Sequence, residues 1–121
     1  MSLGEYLVTE PHVSEFPNPM QLEIGDRVRV VEKSQGPDWP NWYLCSVEGQ
    51  ASGYVPGQIL DHGADGLATI RERYTNRELT VDAGEILNGI RKLNGWLWAR
   101  RVSDGLTGWV PLSVVKESAG G

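Results

Sequence analysis

The run Gly53-Tyr54-Val55-Pro56-Gly57-Gln58-Ile59-Leu60 returns near the end of the chain as Gly108-Trp109-Val110-Pro111-Leu112-Ser113-Val114-Val115. This repeat constrains the fold more than any other feature. In each copy an aromatic and a β-branched residue favour an extended strand, and the proline ends it where no backbone donor is needed. Two copies in 121 residues leave roughly 50 to 60 residues for each unit. Units of that size bury only about 60% of the surface their unfolded chains expose, so each must pack tightly or lean on the other.

Further features recur in the same order. The near-alternating Arg27-Val28-Arg29-Val30-Val31-Glu32-Lys33 predicts a half-buried strand, and Trp42-Tyr43-Leu44-Cys45-Ser46-Val47 predicts the next. In the second half Ile86-Leu87-Asn88-Gly89-Ile90-Arg91-Lys92 precedes Trp96-Leu97-Trp98-Ala99-Arg100-Arg101-Val102. The Asn94-Gly95 turn between them is a strong hairpin signal, because both residues tolerate positive φ. Gly25-Asp26 and Gly84-Glu85 stand ahead of matching strands and suit diverging turns. Short strands, Gly-rich turns and no amphipathic helix predict an all-β chain of small barrels. The expected division is a first barrel over residues 5–60, a polar linker over 61–66 and a second barrel over 67–117.

Composition narrows the function. No apolar run approaches the roughly 18 residues that span a bilayer, and the first ten residues lack the basic start and apolar core of an export signal. A soluble, cytoplasmic protein without membrane attachment is therefore expected. Cys45 is the sole cysteine, which excludes an internal disulfide and a Cys-based zinc site, and its strand setting predicts a buried thiol. The net charge is −5, and the acidic excess lies wholly in the first half, which argues against nucleic-acid binding. His12 and His62 fall in loop-like segments outside any catalytic or metal-ligand spacing. No catalytic residue, metal site or cofactor is expected.

The order of these features, through Gly-aromatic-Val-Pro to a final helical turn, resembles the Src-homology-3 fold. The chain is similar to tandem bacterial variant Src-homology-3 proteins, on the strength of Asn41-Trp42-Tyr43-Leu44-Cys45 and Asn94-Gly95-Trp96-Leu97-Trp98. The resemblance implies two tandem five-stranded Src-homology-3-like barrels and a non-enzymatic role in protein or peptide binding. In members that bind proline-rich chains, an aromatic groove is lined by tyrosines of an Ala-Leu-Tyr-Asp-Tyr motif, a tryptophan, a proline and a last tyrosine.

Carried over, Trp42 and Trp96 match the tryptophan and Pro56 and Pro111 the proline. Ile59 and Val114 stand where the last tyrosine would be. The first motif is degraded to Glu5-Tyr6-Leu7-Val8 and Leu67-Ala68-Thr69-Ile70. The candidate ligand-binding residues are therefore Phe16, Trp42, Pro56 and Ile59 in the first half, and Tyr74, Trp96, Pro111 and Val114 in the second. Polyproline docking relies on aromatic ridges, several of which are missing. The alternative is an assembly module that spends the same surfaces on packing between barrels or on homodimerisation.

Overall fold

Strands form where burial alternates along the chain. Leu67 to Ile70 run half-buried, buried, half-buried, buried, and Ile86 to Gly89 repeat that pattern. In the computed structural model, which describes residues 3–14, 19–34 and 41–118, the strands are β1 (Gly4–Val8), β2 (Gln21–Leu22), β3 (Arg27–Lys33), β4 (Trp42–Ser46), β5 (Gly53–Pro56) and β6 (Leu60–His62), followed by β7 (Leu67–Ile70), β8 (Tyr74–Thr75), β9 (Ile86–Leu93), β10 (Trp96–Arg101), β11 (Thr107–Pro111) and β12 (Val115–Glu117). Single 3-10 turns at Gly57–Ile59 and Leu112–Val114 follow the two prolines. The chain is all-β, and its two five-stranded sheets have the form of tandem Src-homology-3-like small barrels.

The two sheets share one order, β5-β4-β3-β7-β6 in one and β11-β10-β9-β1-β12 in the other. The chain is not cut between them at residues 61–66. One unit is Asn18–Asn76, and the other combines Met1–Pro17 with Arg77–Gly121. Thus β7, expected to open the second barrel, lies between β3 and β6 in the first sheet. In turn β1, expected to open the first barrel, lies between β9 and β12.

The reason is local. Residues 63–66, expected to be part of a linker, form the turn of a β6–β7 hairpin, with Leu60 opposite Ile70 and His62 opposite Ala68. Gly63 N–H donates to the Leu67 carbonyl at 2.8 Å, and Asp65 and Gly66 take φ values of 61° and 74°. A turn this short joins adjacent antiparallel strands, which places β7 beside β6.

Both diverging turns take the predicted form. Gly25 and Gly84 have φ values of 93° and 94°, a region closed to most side chains. In each turn the neighbouring acid reaches back three residues. Asp26 accepts from the Glu23 N–H at 2.8 Å, and Glu85 from the Asp82 N–H at 3.2 Å. The Asn94-Gly95 hairpin also has positive φ at both positions, 47° and 89°.

The core of the two-segment unit gathers Tyr6, Val8, Leu79, Leu87, Leu97 and Val110, among others, and draws on both ends of the chain. Arg101 braces its edge. Its guanidinium donates to Asp104 through Nε and Nη2 at 3.1 and 2.8 Å, and through Nη1 to the Thr80 carbonyl at 2.7 Å. The Arg101 hydrogen bond holds the Asp104 carboxyl below its ordinary range.

In the Asn18–Asn76 unit Cys45 is fully buried, and burial pushes its thiol up to about 11. The S–H points at the Tyr43 carbonyl, 3.5 Å away. Since the thiolate is the reactive form, labelling of the native protein at pH 8 should run at least about a hundredfold slower than for free cysteine. Denaturation in urea should abolish that protection. Native labelling at the free-cysteine rate would show that this core opens readily.

Candidate binding site

The expected site residues distribute between the two units in a new way. Trp42 lies opposite Pro56 across β4 and β5, and Trp96 lies opposite Pro111 across β10 and β11. The pairing is the same in both, but the exposure differs. Trp42, a candidate ligand-binding residue, is only 3% exposed, and Pro56 and Ile59 are buried as well. Trp96 and Pro111 are half-buried, and Val114 is buried. Phe16 lies outside the described residues, as does Trp39.

Tyr74 changes company. Expected beside Trp96 and Pro111, it belongs to the Asn18–Asn76 unit with Trp42 and Pro56. It is buried, pairs with Leu22, and its hydroxyl donates to the Tyr54 carbonyl at 2.9 Å. An aromatic side chain engaged in this way supports the barrel wall and offers little face to a ligand.

The place left beside Trp96 is taken by His12. Its ring meets the Trp96 indole edge to face, with centroids 5.9 Å apart and planes at 76°. Its Nε2 lies 2.7 Å from Glu78 Oε1, and the Glu78 side chain is only 7% exposed. His12 bridges to Val81 just as Tyr74 pairs with Leu22. Val81 and Leu22 each stand three residues ahead of a diverging-turn glycine, so His12 and Tyr74 occupy equivalent positions.

The geometry therefore assembles Trp96, Pro111, His12 and Glu78 in one unit, with an indole beside an imidazole–carboxylate pair. Such a surface can hold an apolar side chain against the indole, with the half-buried His12 at its edge and Glu78 behind it. Neither His12 nor Glu78 stood out in the sequence, where His12 read as an ordinary loop residue. The signal was positional, since His12 follows Val8 by the same four residues that separate Tyr74 from Ile70. Among the described residues no group of three or more His, Cys, Asp or Glu could hold a metal ion, and no helix is long and apolar enough to cross a membrane.

Comparison with known proteins agrees with the SH3-like character of the sheets. The chain is 28% identical over 137 aligned residues to mouse "SH3 and PX domain-containing protein 2B" and 29% identical to the human protein of that name, in each case over 99% of the chain and 14% of the relative. The chain thus spans about a seventh of the length of these curated relatives. No solved structure matches. The family model for the variant SH3 domain matches residues 6–61, a likeness in keeping with an all-β chain of two SH3-like sheets.

Proposed function

We propose that the protein is a binding module in which the unit formed by Met1–Pro17 and Arg77–Gly121 engages a protein or peptide through Trp96. His12, Glu78 and Pro111 flank that contact. SH3 domains typically serve as protein-interaction modules, and a half-buried tryptophan supplies large apolar area at low entropic cost. The reading rests on the contrast between the half-buried Trp96 and the 3% exposed Trp42.

The Asn18–Asn76 unit is then a scaffold. Its tryptophan, proline and equivalent aromatic, Trp42, Pro56 and Tyr74, are all buried, which favours a structural use of that half of the duplication. The work of such a module involves no catalytic step, cofactor, nucleic acid or membrane.

The test is an NMR titration of the full chain with pooled peptides, following the five indole N–H signals. The Trp96 signal should shift with saturation while that of Trp42 stays in place. Saturable binding that moves Trp42 and leaves Trp96, His12 and Glu78 untouched would overturn the assignment.

A further inference from the structure

Each five-stranded sheet has one strand supplied from outside its own sequence half, β1 in one and β7 in the other. The register makes the two slots directly comparable. Tyr6 pairs with Leu87, and Ala68 pairs with Val28. Two residues further along β9 and β3, on the same faces as Leu87 and Val28, stand Gly89 and Val30. Gly89 pairs onward with Ala99, and Val30 with Cys45. The first slot thus combines a tyrosine with Gly89 and Ala99. The second combines an alanine with Val30 and Cys45.

The fit in the first slot is tight. A Cβ placed on Gly89 would stand 2.5 Å from Tyr6 Cε1 and 2.9 Å from Tyr6 Cδ1, closer than side chains tolerate. Tyr6 is 2% exposed and Gly89 is buried, so neither can swing into solvent. If the strands were dealt out in linear order, the tyrosine would face a slot carrying Val30 and Cys45. The alanine would then face Gly89 and Ala99 and leave a void. Overfilled and underfilled cores are both destabilising.

We infer that these two large-and-small combinations, Tyr6 with Gly89 and Ala68 with Val30, form a size code that assigns β1 to the β9–β12 slot and β7 to the β3–β6 slot. The β6–β7 hairpin fixes one half of the exchange through chain geometry. With β7 in place the β3–β6 slot is filled, and the code fits β1 to the slot that remains. It also sets the composition of the binding unit, since His12 follows β1 and arrives beside Trp96 only when β1 takes the β9–β12 slot. The inference concerns strand assignment and stands whether or not Trp96 binds a partner.

The test uses the full-length chain and two variants. Tyr6→Ala/Ala68→Tyr exchanges the side chains and leaves the slots unchanged. Its folding equilibrium constant should fall at least about tenfold, with loss of the backbone NOEs that join residues 5–7 to 86–88 in the parent. Adding Val30→Gly and Gly89→Val restores one large and one small partner in each slot. The fourfold variant should recover at least about tenfold and regain those NOEs. Because recovery from a poorly folded double variant is itself the readout, loss of folding in that variant leaves the test intact. The inference fails if the double variant keeps the parent's stability and NOEs, or if the fourfold variant is no better folded than the double. It fails equally if residues 5–7 of the parent show NOEs to 27–29.

Discussion

A chain cut to residues 18–76 should fold cooperatively by itself, and one cut to residues 5–60 should not, although the second matches a linear reading of the repeat. The 18–76 fragment contains every strand of the β5-β4-β3-β7-β6 sheet together with the β2–β8 pair. Its ends already meet. Gln21 pairs with Thr75, and the buried Asn76 side chain accepts from the Met20 N–H at 2.8 Å. The 5–60 fragment lacks β7 and all of β6 but Leu60, so β3 loses its partner on that side, and Ala68 and Ile70 disappear from the core.

Full burial of an isoleucine such as Ile70, 1% exposed, contributes about 1.5–3 kcal/mol, before the ladder hydrogen bonds of β7 are counted. A domain of this size holds only roughly 3–9 kcal/mol in total, so losing an interior strand removes a large share of it. Urea melts followed by circular dichroism, with amide NMR dispersion, distinguish the fragments. A sigmoidal melt and dispersed spectrum for residues 5–60, or a collapsed spectrum for 18–76, would contradict this account of the fold.

Features encoded within a few residues were legible from the amino-acid chain. The Gly-acid turns, the Asn94-Gly95 hairpin and the strand-ending Pro56 and Pro111 each depend on local backbone geometry, and the structure realises them in place. Their duplication was enough to give two five-stranded sheets. Strand partnership was less legible, because it depends on contacts distant in sequence. The segment 61–66 is polar and Gly-rich, a composition shared by linkers and hairpin turns. Only its pairing of Leu60 with Ile70 separates the two.

The candidate site inherits that limitation. Trp96 and Pro111 could be matched by motif, whereas their neighbour His12 could not. Histidine at a position held by Tyr74 in the other unit carries no motif, and it reaches Trp96 through β1, whose last residue, Val8, stands 88 positions before the tryptophan. Burial was equally hidden. Trp42 and Trp96 stand in parallel sequence contexts, and their different exposures arise from tertiary packing.

That difference gives the second large effect. Trp42→Ala should cost about 3–5 kcal/mol of folding stability, the usual range for deleting a buried large aromatic side chain. This is a substantial fraction of what a small domain possesses. Trp42→Phe should recover part of it, because a second aromatic fills most of the space. Trp96→Ala should cost clearly less, since its half-buried indole gives up less packing.

The order should reverse for binding. Once a ligand is in hand, Trp96→Ala should weaken it by about 2 kcal/mol or more, roughly thirtyfold, as removal of a central aromatic anchor does. Trp42→Phe, kept folded, should leave affinity nearly unchanged. Paired urea melts and ligand titrations on these variants separate the roles. Equal stability losses from the two alanine substitutions would deny the packing contrast. Full affinity in Trp96→Ala would remove that residue from the binding surface.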